Sequence, residues 1–273
     1  MIDRSRSGTR RALSAVIVLA ATLVAAGVPA GGVPDVVAPP GNAGVDYQLG
    51  APYPPPSGVR VVSRDRSARP APGVYTICYV NAYQTQPGEL GWWRAHHDDL
   101  LLHDADGNEV VDPDWGEVLL DTSTAAKRAT LAAVVGRWMH GCARDGFRAV
   151  EPDNLDSWTR SRRLLDRSDA LAYAGLLIAR AHADGLAIGQ KNTAEVSAAG
   201  RRAGFDFAVA EECAEYGECG DYTAVYGDEV FVIEYDRAGF VRACRTVGER
   251  LSVVLRDREV TAPGSASYVH DAC

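Results

Sequence analysis

Four short apolar runs in this chain each end in polar, chemically capable side chains. Gly146–Val150 leads into Glu151, Pro152, Asp153, Asn154, Leu155 and Asp156. Leu186–Gly189 leads into Gln190, Lys191 and Asn192, Phe205–Ala210 into Glu211 and Glu212, and Val230–Ile233 into Glu234, Tyr235 and Asp236. Runs of this length bounded by turn residues read as buried strands. Apolar residues at helical spacing fill the stretches between them: Thr124–Met139, Ser168–Ala183 with Ser168 as a possible cap and Gly185 as a stop, Thr193–Ala203, and Arg237–Arg250. Val45–Leu49, Val59–Ser63, Val74–Asn81 and Leu251–Leu255 bring the strand candidates to eight. Strands alternating with helices pair in parallel through right-handed crossovers. Eight in about 230 residues predict a single (β/α)8 TIM-like barrel over residues 45–273. Its early units are shortened, because almost no helix fits between the first three strands. An open doubly wound sheet is the rival, but no strand is followed by a glycine-rich phosphate loop.

In such a barrel the reactive groups gather at the carboxyl ends of the strands. Side chains on a strand alternate faces, so Glu151 and Asp153 point the same way, while Glu211 and Glu212 point apart. Alternation alone does not choose between the last two: Glu212 follows the small Ala208 and Ala210, and Glu211 the bulky Phe207 and Val209.

Arg4, Arg6, Arg10 and Arg11 precede an apolar segment from Ala12 to about Ala26, followed by small residues and Val28-Pro29-Ala30. This is the pattern of a secretory signal peptide over residues 1–30, with a retained anchor as the alternative. Residues 31–44, rich in Gly, Pro and Val, read as a flexible linker. The exported chain is expected to be secreted, monomeric and without stable membrane association. Six cysteines follow, and an even number in an exported chain reads as disulfides. Cys213 with Cys219 and Cys244 with Cys273 are the natural pairs, leaving Cys78 with Cys142. No C-x2-C spacing occurs and the six histidines are scattered, so neither metal nor cofactor is expected. A net charge of −8 argues against a nucleic-acid partner and suits a cationic substrate.

The long segment between the third strand and Thr124 holds Trp92-Trp93, His96-His97, and Asp112, Asp114, Trp115 and Glu117. Aromatic faces beside carboxylates are what sugar subsites need.

Together, Gly146–Asp156, Ile188–Asn192, Phe207–Cys213 with Tyr216 and Cys219, and Val230–Tyr235 resemble the endo-α-1,4-polygalactosaminidases of glycoside hydrolase family 114. Ile77–Asn81 and Trp115–Asp121 are similar to earlier blocks of that family. The resemblance implies a TIM-like barrel cleaving α-1,4-linked galactosamine polymers within the chain, with its two carboxylates at the ends of strands four and six. By motif these are Asp153 and Glu211. Asp153 is then the nucleophile, its charge held by Lys191, and Glu211 the general acid/base, raised by Glu212 or Glu151. Gln48, Asn81, Asn154 and Asn192 are candidate hydroxyl or amine ligands, with Trp115 and Asp156 beside them. Glu151, Glu212, Glu234 and Asp236 would add negative charge for an ammonium. A glycosidase acting on another α-linked amino sugar or a cell-wall glycan, and a non-catalytic sugar-binding barrel, are the alternatives.

Overall fold

The computed structural model describes residues 1–2 and 35–273; the expected signal peptide lies outside the described residues. Val33–Cys273 form one unit. Its strands are β1 (Gly44–Gln48), β2 (Val59–Asp65), β3 (Tyr75–Asn81), β4 (Ala149–Asp153), β5 (Ala187–Lys191), β6 (Phe207–Glu211), β7 (Val230–Glu234), β8 (Ser252–Arg256) and β9 (His270–Ala272). They run in sequence order, parallel from β1 to β8, with β9 antiparallel on β8. The result is a nearly closed TIM-type barrel. Among the described residues no ladder joins β8 to β1. Side chains stitch the seam instead: the Ala43 N–H donates to Ser252 Oγ at 2.9 Å, and buried Arg256 donates to Asp46 at 3.1 Å.

Alternation sorts the strand residues into two layers. Val45, Tyr47, Val61, Ile77, Ala149, Ala187, Phe207, Val209, Phe231, Ile233 and Val254 come from all eight parallel strands and pack together, which only the barrel interior allows. Their neighbours Val80, Val150, Ile188, Ala208, Ala210, Val232 and Val253 pack outward against helices. Gly189 is inward, and a β-carbon there would sit 2.5 Å from the Phe207 ring. The bulky Phe207–Val209 side therefore faces inward, and Glu211 with it.

Helices α2 (Ala125–Asp145), α3 (Arg167–Ala183), α4 (Ser197–Ala203), α5 (Cys213–Tyr216), α6 (Cys219–Tyr226) and α7 (Arg237–Thr246) cover the outside, and α1 (Leu90–His97) lies in the long segment after β3. α2 runs six residues beyond the expected Met139 and stops at Gly146, whose φ of 101° suits a left-handed cap. α3 is capped by Asp166 rather than Ser168, through a capping box with Asp169. From Asp35 the segment expected as a linker lies on the barrel: Val36 packs against the interior cluster, and Tyr75 donates to Val37 O at 2.6 Å. The cysteines pair as Cys78–Cys142, Cys213–Cys219 and Cys244–Cys273.

Candidate active site

The inward residues at the carboxyl ends of the strands form the floor of a cleft of about 690 Å³. Asp153 closes β4, Lys191 β5 and Glu211 β6. Each is followed by a left-handed residue: Asn154 (φ 66°), Asn192 (φ 50°) and Glu212 (φ 57°). Such backbone is strained for a side-chain-bearing residue and turns each strand end sharply. The β4–β5 ladder stops at Val150, two residues before Pro152, which has no N–H to offer.

Lys191 organises the floor. Its Nζ lies 3.0 Å from Asp153 Oδ1, 3.0 Å from Glu211 Oε2 and 3.5 Å from Glu151 Oε1, and donates to the Tyr47 hydroxyl at 3.1 Å. Burial pushes the ammonium down, but the three carboxylates outweigh it and hold Lys191 well above the usual lysine value. Burial likewise pushes Asp153 up. Lys191 and the Tyr79 hydroxyl, which donates to Oδ2 at 2.7 Å, outweigh that and hold its carboxyl below the usual range. Glu211 accepts from Asn192 Nδ2 at 2.8 Å on one oxygen and from the Tyr235 hydroxyl on the other, while its N–H donates to Asn192 Oδ1 at 2.8 Å. Both ends of the Asn192 amide are thus spent on positioning Glu211. Because Asp153 and Glu211 present oxygens 3.0 Å from one nitrogen, those oxygens are no more than about 6 Å apart.

Of the residues expected at the site, Asp153, Glu211, Lys191, Asn154, Asp156, Asn192, Glu212 and Trp115 line the cleft. Asp156 is gripped by Arg160 at 2.9 and 3.0 Å, and Glu212 accepts from Arg258 at 2.8 Å. Five expected ligands are elsewhere. Gln48 and Glu234 stand on the outward side of their strands. Gln48 is buried against Asp46 and Arg64, and Glu234 accepts from the Ala214 N–H at 2.9 Å. Glu151 faces inward but one layer too deep; it is fully buried, accepting from Tyr47 at 2.5 Å and Ser63 at 2.7 Å. Asp236 caps α7, taking the Ala238 and Gly239 N–H groups at 2.8 and 2.9 Å. Asn81 braces the wall from behind, donating to Glu117 at 2.8 Å and accepting from Asn154 at 3.0 Å.

The sequence assigned no role to three tyrosines of the site. Tyr47, Tyr79 and Tyr235 converge on the carboxylates. Burial, then the neighbouring carboxylates, push all three phenols well above their usual range, so they remain donors. Glu117, on the turn after Trp115, is pushed up to about 7 by burial, with Asp153 and Asp112 adding to the effect. Tyr216 joins Trp115 as a second exposed aromatic on the cleft wall. The strand alternation marks Tyr47 and Tyr79, because they share the inward side with Val45 and Ile77. Among the described residues, Asp98, His103 and Glu109 also come together, but Arg94 takes both Glu109 oxygens at 2.7 Å.

The family profile Glyco_hydro_114, glycoside-hydrolase family GH114, matches residues 28–273. The chain belongs to family GH114. A GH114 member is a glycosidase, and its substrate is a polysaccharide. The GH114 barrel is similar to Aspergillus fumigatus Ega3, solved in complex with galactosamine, at a TM-score of 0.71 and 21% identity over 88% of this chain and 99% of that one. It is also similar to the glycoside hydrolase domain of PelA from Pseudomonas aeruginosa, at a TM-score of 0.58 and 13% identity over 83% and 99%. A comparison with curated proteins finds no match.

Proposed function

We propose that this GH114 glycosidase is a secreted, endo-acting hydrolase of α-1,4-linked galactosamine-type polysaccharide, with Asp153 as nucleophile and Glu211 as general acid/base. The observation that carries the reading is the pair of carboxylates sharing Lys191 on the cleft floor. A separation of about 6 Å or less suits direct attack by one carboxylate and leaves little space for a water between the two, which favours retention of configuration. Asp153, kept ionised, attacks the anomeric carbon while Glu211 gives its proton to the departing glycosidic oxygen. The glycosyl–Asp153 ester is then cleaved by water, whose proton returns to Glu211.

Charge supports the amino sugar. Eleven carboxylate side chains line the cleft against three cations, each already paired with carboxylates. The structure of Ega3 holds galactosamine, which adds to this reading. Trp115 and Tyr216 offer flat faces for the rings. Export over residues 1–30 accords with the three disulfides, which persist in oxidising compartments. Among the described residues no helix is long and apolar enough to cross a membrane.

The test is partly deacetylated α-1,4-galactosaminan with product analysis. Wild type is expected to release oligomers whose new reducing ends are first α. Asp153→Asn and Glu211→Gln are each expected to lose several orders of magnitude in kcat while remaining folded. Azide added to Asp153→Gly should give the β-azide and to Glu211→Ala the α-azide, separating the roles. Wild-type activity in either folded variant, or the reverse azide pattern, contradicts the assignment.

A further inference from the structure

Beside the cleft lies a second hollow of about 290 Å³, lined by Arg66, Gly88, Glu89, Trp92 and Trp138. The two share a border in the chain itself. Asp65 and Pro87 line the cleft, while the next residues, Arg66 and Gly88, line the hollow. The ridge between them is tied by Gln86 Nε2, which donates to Asp65 Oδ2 at 2.6 Å.

Its walls are aromatic and fixed. Trp92 is 38% exposed, a costly position for so large an apolar surface. His96 stacks on it with centroids 5.1 Å apart at 22°, and its Nδ1 sits 2.8 Å from the Trp92 carbonyl oxygen. Trp138 lies 6.2 Å from Trp92 and carries the Arg66 guanidinium 4.2 Å from its centroid. Arg66 pairs with Glu89, and among the described residues its buried Nε has no partner. The hollow therefore combines a ring-sized aromatic wall, braced by its neighbours, with a neutralised ion pair.

We propose that a polysaccharide strand leaving the cleft over that ridge enters this hollow, a distal subsite that stacks one of its sugars. It rests on the polysaccharide reading above and adds a specificity to it. The cleft floor is strongly acidic and selects an ammonium-bearing unit. The hollow holds one paired cation and anion, offers no net field, and takes an uncharged or N-acetylated unit through its ring face.

The test compares a long, partly acetylated galactosaminan with short oligosaccharides that fill only the cleft. Trp92→Ala is expected to raise KM for the polymer about tenfold, as loss of one stacked ring does, leaving kcat and the short-substrate constants unchanged. Equal effects on both substrates, or none, overturn the subsite. Affinity of the polymer for Asp153→Asn and for Asp153→Asn/Trp92→Ala, measured by titration calorimetry, keeps the two readings apart. Polymer that binds the first about tenfold tighter than the second supports the subsite even where wild type cleaves nothing. Equal binding to both, or binding to neither, overturns it. Thermal melts establish folding, and if Trp92→Ala melts early, Trp92→Tyr takes its place with a smaller loss expected in the same direction.

Discussion

Tyr47 and Glu151 meet inside the barrel, hydroxyl to carboxylate at 2.5 Å, with almost no surface on either. Burial pushes the Glu151 carboxyl up to about 7, from 4.5 in an unhindered glutamate. The folded protein therefore keeps a proton that the unfolded chain releases. That stabilisation is complete below pH 4.5 and is lost as pH climbs through 7. Glu117 and Glu234, both pushed up to about 7 by burial, act in the same direction. The melting temperature is expected to fall between pH 5 and pH 7.5, with Glu151 contributing on the order of 3 kcal/mol. Glu151→Gln should flatten that slope, and melts that keep the full slope in the variant would contradict the assignment.

Lys191→Met removes the charge and keeps the length. Asp153 then loses the cation that holds its pKa down, so the acid limb of the pH profile of kcat/KM should move to higher pH. Asp153 and Glu211 are left facing one another without their counter-charge, at a cost of about 3–5 kcal/mol. Activity at the optimum should fall roughly 10²-fold or more. An unmoved acid limb in a folded variant would show that Lys191 only fills space.

Partly deacetylated galactosaminan is expected to be cleaved faster than the fully N-acetylated polymer, with KM rising as salt is added. The reason is the excess of carboxylates around the cleft, whose field is screened over about 10 Å at 0.1 M salt. Equal rates on both polymers at low and high salt would leave the acidic wall without a role in recognition.

The Cys213–Cys219 bridge begins two residues after Glu211 and closes a loop of six-residue separation. Replacing both cysteines with alanine should cost about 2 kcal/mol through the unfolded chain. It should also lower kcat more than it raises KM, because the turn that aims Glu211 loosens. Thiol titration of denatured, unreduced protein should find no free cysteine among residues 35–273. Two or more would contradict the pairing seen here.

The barrel was legible because strand and helix periods alternate cleanly from Gly146 onward. The site was legible where a motif ended a strand, as at Asp153, Lys191 and Glu211. It failed where alternation was applied to single strands instead of across the sheet. Phe207 and Val209 face the interior with Ile77 and Phe231, which places Glu211 inward and Glu234 outward. A barrel with bulky interior residues was needed to read that, and the sequence offers bulk on both sides. Tyr47 and Tyr79 went unnoticed because an inward tyrosine looks like core until a carboxylate is found opposite it. The helices α5 and α6 are too short to show a period, and their ends are set by the disulfide. β9, three residues long, carries no signal of its own, and the residue after it is tethered to Cys244.

That tether also governs what the sheet edge exposes when the bond is lost. β8 has β7 on one side and, with no ladder to β1, would present open N–H and C=O groups on the other. β9 occupies Val254–Arg256 of that edge, held down by a covalent bond to α7. Replacing Cys244 and Cys273 with alanine frees the strap and leaves the Cys213–Cys219 bridge beside Glu211 closed. The bared edge is then a template for another chain's strand, so in that variant self-association should precede loss of catalysis.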